Sequence, residues 1–132
     1  INHEDFEDEI ISTLNKQDIE LIVMAGWMKI MSSKFVNTFK NKIINIHPSL
    51  LPAFKGSNAI KEAIINGSKI TGCSVHYVEP EVDSGSLIMQ AALSICKEDN
   101  LDLHITLQAH LQLVLQHYNQ LFTGTTEATL CL

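Results

Sequence analysis

The sequence is poor in the features that mark several functional classes. Nine Lys and Arg stand against fifteen Asp and Glu, for a formal charge of −6. The cations are scattered, so no basic stripe exists to neutralise a nucleic-acid backbone. The longest apolar run, at residues 21–28, falls far short of the roughly 20 residues a membrane span requires. The acidic opening "EDFEDE" stands where a secretory leader would be basic. Together these absences point to a cytoplasmic protein that engages neither nucleic acid nor membrane. The cysteines, Cys73, Cys96 and Cys131, are odd in number, widely spaced and without a C-x-x-C pair. That argues against a disulfide framework and against a zinc site. The chain also has no G-x-G motif, no internal repeat and no low-complexity tract.

What is there is the material of one globular domain. The 132 residues are 45% hydrophobic and 18% charged, and a chain of that size hides roughly two-thirds of its unfolded surface. A single domain over 1–122 with a tail at 123–132 is expected. Phe6, Ile10 and Leu14 recur at four-residue steps and predict an amphipathic helix over 4–16. "LIVMA" at 21–25, ended by Gly26, predicts a strand covered on both faces. Ser32 suits the N-cap of a helix over 33–39, and "IINIH" at 43–47 predicts the next strand. The segment between these strands is long enough for a helical crossover, which predicts parallel pairing.

"NAIKEAIING" predicts a short helix from Asn58 closed by Gly67. Strands at 70–78 and 86–95 are joined by "EPEVDSG", too short for a crossover, so this pair is expected to be antiparallel. A last helix over 101–122 aligns Leu103, Leu107, Leu111, Val114, Tyr118 and Leu121 on one face. The expected class is α/β: an open, mostly parallel sheet with an antiparallel C-terminal strand pair and flanking helices. Doubly wound folds usually open with a strand and a phosphate-holding glycine-rich turn. This chain starts at Ile1 and its first element is the helix over 4–16, so the first βα units are expected to be lacking. The strand at 21–25 would then carry an unpaired apolar edge unless another segment covers it.

In "IINIHPSLLP", at 43–52, an amide and an imidazole interrupt a β-branched run. Alternation along a strand puts Asn45 and His47 on one side, at the carboxyl end where open α/β sheets bind ligands. A non-titrating amide donor beside an imidazole suits oxyanion stabilisation and proton handling. A polar strand end satisfied by neighbouring loops is the plainer alternative. Asp83, in the tight connector between the last strands, can hold the imidazole's tautomer and charge if it lies nearby. By itself an Asp there is ordinary turn chemistry.

"NIHPSLLPAFKG", "TGCSVHYV" and "VDSG" followed by "IMQA" resemble the phosphoribosylglycinamide formyltransferase family over about residues 20–98. The resemblance implies a formyltransferase fold and transfer of a formyl group from 10-formyltetrahydrofolate to the amine of glycinamide ribonucleotide, in purine biosynthesis, with no metal. Its catalytic residues would be Asn45, His47 and Asp83, with protonated His47 tuned by Asp83. Its folate-binding segments would be Met28, Lys29, Ile30 and Met31 together with Val78, Glu79, Pro80, Glu81 and Val82, and Asn45 beside them. The alternative for "WMKIM" is a core-facing turn. A cis bond between Leu51 and Pro52 is also expected.

The chain departs from that family in several places. No phosphate loop is present, so an N-terminal segment or partner chain is expected to supply one. Gln112 and Leu113 replace a Glu-His pair, Lys29 replaces an Arg and loses its planar fork, and Ser86 replaces a Pro. His104, His110 and His117 lack the i, i+4 spacing of a helical metal site, and His76 is expected to pack or cap locally. The competing readings are another folate-dependent formyltransferase, a formyltetrahydrofolate deformylase, or an inactive folate-binding fragment. Pro48, where the deformylase has a second His, disfavours hydrolysis.

Overall fold

The computed structural model describes residues 3–27, 29–95 and 129–131. Helix α1 (His3–Asn15) leads into strand β1 (Ile22–Ala25). Helix α2 (Ser33–Thr38), strand β2 (Ile43–His47), helix α3 (Ala59–Ile65) and strands β3 (Ile70–Tyr77), β4 (Leu87–Ser94) and β5 (Thr129–Cys131) follow. The expected helix over 101–122, with Gln112, Leu113 and the three histidines on it, lies outside the described residues, as does Met28.

The strands form one open sheet in the order β4-β3-β2-β1-β5. Strands β1 and β2 run parallel, joined across by α2, with Ile22 opposite Ile43 and Met24 opposite Asn45. Strands β3 and β4 are antiparallel, as the short connector requires. Strand β2 also pairs antiparallel with β3, so the sheet is parallel on one side of β2 and antiparallel on the other. Thr129–Cys131, expected within a tail, pair in parallel with β1. The edge of β1 is therefore covered, and the aggregation liability expected there is removed.

Alternation on the strands divides the core. Ile22, Met24 and Ile43 face α1 and α2 and pack with Leu14, Met31, Phe35, Val36 and Phe39. Val23, Ile44 and Ile46 point the other way and pack with Cys73, Val75 and the α3 residues Ile60 and Ile64. Ile44 is wholly buried, a burial worth about 1.5–3 kcal/mol for a side chain of its size. Helix α2 starts at its expected cap: the Ser32 hydroxyl accepts from the Phe35 N–H. The Glu7 carboxylate, buried in α1, in turn accepts from the Ser32 backbone N–H at 2.8 Å and from the Ser32 hydroxyl. A buried carboxylate is costly without donors, so this pairing fixes α1 against the start of α2.

Candidate active site

Because Asn45 and His47 alternate with Ile44 and Ile46, they share a face with Ile43 but lie beyond the cover of α1 and α2. The antiparallel register completes the set from the neighbouring strand. Asn45 stands opposite His76, and His47 opposite Ser74. Four polar side chains thus meet on one patch of the sheet, while Cys73 and Val75 enter the core on the other side.

Two loops close over this patch. After β2 the chain turns at Pro48 and passes through a cis Leu51–Pro52 bond, as expected. Ser74 Oγ donates to the Ser49 carbonyl at 2.7 Å and accepts from the Leu51 N–H at 3.0 Å. Gln90 of β4 donates to the Leu51 carbonyl and to Ser74 Oγ, both at 2.9 Å. Ser49 and Ser74 are fully buried; this network satisfies Ser74, and the Ser49 hydroxyl donates to the Ala53 carbonyl at 2.5 Å. The clamped loop then brings the Phe54 carbonyl to 2.8 Å from His47 Nε2. Phe54 has φ +52, a conformation bulky residues rarely adopt, and such strain gathers at functional sites.

The second loop is the connector between β3 and β4, and it carries Asp83. Gly85 is what lets it turn so tightly: a Cβ there would stand 1.7 Å from the Tyr77 carbonyl oxygen. Asp83 sits at φ +50, which Asp tolerates better than most residues. Its Oδ2 accepts from the Gly56 N–H at 2.8 Å and lies 3.4 Å from His47 Nδ1. Its Oδ1 lies 3.5 Å from His76 Nε2. Asn45 Nδ2 is 3.5 Å from the same His76 nitrogen, and His76 Nδ1 is 2.8 Å from the Tyr77 carbonyl. The side chains of His47, His76 and Asp83 are 5%, 2% and 8% exposed, so solvent screens little between the carboxylate and the two rings.

The structure therefore brings Asp83 to His47, far apart in sequence, and Asn45 beside them. It also adds His76. The expected local cap exists, at Tyr77, but the other ring nitrogen faces Asn45 and Asp83. Ser74, Gln90, the Phe54 carbonyl and the Gly56 N–H likewise escaped sequence reasoning. A signal for the side chains was present: Ser74 and His76 repeat on β3 the i, i+2 polar pattern that singled out Asn45 and His47.

The expected ligand segments divide. Lys29 and Ile30 are exposed, Ile30 by 69%, and Lys29 Nζ lies 5.0 Å above the Phe6 ring centroid, a favourable cation–π distance. Met31 is buried in the core and offers a ligand little surface, as the core-facing alternative for this turn had it. Val78 is half-buried against the same cluster, its N–H bonded to the Ile43 carbonyl at 2.9 Å. Glu79, Pro80, Glu81 and Val82 are exposed. Trp27 Nε1, next in the chain to Met28, is buried with no hydrogen-bond partner among the described residues. No group of three or more His, Cys, Asp or Glu side chains among those residues is placed to hold a metal ion. A separate cavity of about 540 Å³ opens at the other end of the sheet, lined by Leu14, Ile19 and Phe39 with Asp18, Glu20 and Lys42.

Comparison with known proteins gives consistent matches. The sequence profile described as "Formyl transferase" matches residues 2–112. A phosphoribosylglycinamide formyltransferase from Bacillus subtilis is 43% identical over 97 residues, covering 74% of this chain and 50% of that protein. The human trifunctional purine biosynthetic protein adenosine-3 is 42% identical over 100 residues, covering 76% of this chain and 10% of that protein. The crystal structure of phosphoribosylglycinamide formyltransferase from Anaplasma phagocytophilum superposes with a TM-score of 0.81 at 43% identity, covering 83% of this chain and 54% of that one. The chain thus spans about half the length of the single-function relatives and about a tenth of the trifunctional one.

Proposed function

This chain belongs to the formyl transferase family, and from that membership we propose that it forms the catalytic part of a cytoplasmic enzyme. The enzyme moves a formyl group from 10-formyltetrahydrofolate to the amine of glycinamide ribonucleotide. The observation that carries the reading is the buried Asp83 carboxylate within 3.4 Å of His47, on the strand that also presents Asn45.

The chemistry follows from the groups present. The amine nitrogen bonds to the formyl carbon, and the carbonyl electron pair moves onto oxygen. That oxyanion takes hydrogen bonds from the Asn45 amide and from protonated His47, whose charge Asp83 compensates. The amine then loses its proton, the carbon–nitrogen bond to the folate breaks, and the departing nitrogen is protonated, with His47 suited to assist. In the present geometry His47 Nε2 is occupied by the Phe54 carbonyl, so donation to a substrate oxygen exchanges that partner. The folate is assigned to Lys29 and Ile30, next in sequence to Met28, and to residues 78–82, of which Glu79, Pro80, Glu81 and Val82 are exposed.

Formyl transfer by this chain, with and without an added N-terminal segment carrying a phosphate loop, tests the assignment. Asn45→Ala and His47→Ala are each expected to slow transfer by roughly a hundred- to a thousandfold, the usual effect of losing an oxyanion donor, and Asp83→Asn, which removes the carboxylate that compensates His47, is expected to slow it severely too, while the protein stays folded. Near-normal turnover in His47→Ala would refute the mechanism. Since the chain spans half of its relatives, a second reading is a fragment that binds folate without turnover; it would remain inactive with both segments present.

A further inference from the structure

Histidines 47 and 76 face the same carboxylate, yet their hydrogen-bonding surroundings differ. Both nitrogens of His47 face acceptors: Asp83 Oδ2 at Nδ1 and the Phe54 carbonyl at Nε2. Only a ring with two N–H groups satisfies both. His76 faces an acceptor at Nδ1, the Tyr77 carbonyl at 2.8 Å, but at Nε2 it meets a donor, Asn45 Nδ2, and an acceptor, Asp83 Oδ1, each at 3.5 Å. A neutral ring with its proton on Nδ1 accepts from Asn45; a charged ring donates to Asp83. One buried carboxylate offsets one imidazolium, and a second charged ring beside it would be left uncompensated. With His47 holding the charge, the pattern selects the neutral state for His76.

We propose that His76 is a positioning residue: fixed as the Nδ1–H tautomer by the Tyr77 carbonyl, it accepts one N–H of the Asn45 amide and thereby sets which way that amide is turned. A free carboxamide flips readily, exchanging its donor and acceptor ends. An acceptor at its nitrogen removes that ambiguity and leaves the second Asn45 N–H available to a developing oxyanion. The requirement for Gly85 belongs to the same device, because the Tyr77 carbonyl that holds the ring is the atom a Cβ at Gly85 would strike. The link from anchored amide to oxyanion rests on the formyl-transfer reading; the anchor itself does not.

Nitrogen-15 NMR of the whole chain tests the anchor without substrate. The His76 ring is expected to show a protonated Nδ1 and a bare Nε2. The Asn45 side-chain amide is expected to give a sharp pair of proton signals that exchange slowly with water. His76→Leu should speed that exchange roughly tenfold, the worth of one hydrogen bond, while His76→Gln, whose side-chain carbonyl can replace Nε2, restores it. A His76 ring protonated on Nε2, or an Asn45 amide unmoved in His76→Leu, overturns the proposal. Should His76→Leu not fold, the ring tautomer in the unaltered protein decides. In the transfer assay, His76→Leu is expected to lower kcat with KM unchanged and His76→Gln to recover it. Absence of transfer in the unaltered chain with its N-terminal segment would count against the function and leave the anchor standing.

Discussion

The two ends of strand β2 carry similar numbers of polar groups and treat them in opposite ways. At its start, Asn15, Asp18, Glu20, Thr38 and Lys42 are all exposed around an open cavity, and the Lys42 ammonium makes a long 3.4 Å contact to the Ile19 carbonyl. At its end, His47, Ser49, Ser74 and His76 are 4% exposed or less, with Asp83 closing over them. Water satisfies the first group at no structural cost. The second must be satisfied from within, because an unpaired buried polar group costs on the order of 1–3 kcal/mol. Its hydrogen bonds are therefore specified by the fold, and specified hydrogen bonds are what a catalytic pocket requires. The difference teaches that polar content alone does not single out a candidate site; polar content without solvent does.

This contrast can be broken most severely at Asp83. Replacing it with Ala strips the Gly56 N–H of its acceptor and His47 of the carboxylate beside it. Destabilisation of about 3–5 kcal/mol is expected, the range for breaking a buried charged pair, read as a lowered urea midpoint. Gly85→Ala comes next. The Tyr77 carbonyl cannot move without disturbing the start of the connector, where the Tyr77 N–H also bonds the Ser86 carbonyl at 3.0 Å. A loss of about 1–3 kcal/mol is expected from the forced shift, and the His47 and His76 ring signals should move with it. At the opposite end of β2, Lys42→Ala should change stability by no more than about 0.5 kcal/mol; a larger loss would mean that end is not the solvated surface described.

The smallest effect concerns Cys73. Burial pushes its thiol above the ordinary value, opposed in part by a backbone hydrogen bond involving Ala91. The neutral thiol is the form the fold accommodates, so its stabilisation is full below the ordinary thiol range and is lost as pH rises through the elevated folded value. The stability of the unaltered protein relative to Cys73→Ala should therefore fall as pH climbs past that range. Urea titrations of both proteins at neutral and alkaline pH measure it, and a gap that widens with pH would contradict the burial assigned to Cys73.

Much of the fold was legible because it rests on short-range rules. The strand at 43–47, the Ser32 cap and the antiparallel β3–β4 pair all follow from local composition and connector length. That Asn45 and His47 share one face of β2 was legible for the same reason, since alternation on one strand is a local property. His76 was not, because its importance depends on the register between β2 and β3, and no feature of either strand alone states which residue faces which. The pairing of Thr129–Cys131 with β1 was missed similarly: a short segment with no strand pattern of its own becomes a strand when an apolar edge is left for it.

The sequence by itself determined which segments could become strands and helices, which faces they would bury, and that an amide and an imidazole would share one side of β2. Only the tertiary structure decided that a single carboxylate would stand between two imidazoles, and that a backbone carbonyl would cap each ring. Those contacts join residues up to 36 positions apart, as His47 and Asp83 are. They exist only once sheet register and two loop conformations have been fixed together, and burial then leaves each polar group no partner but the one the fold supplies.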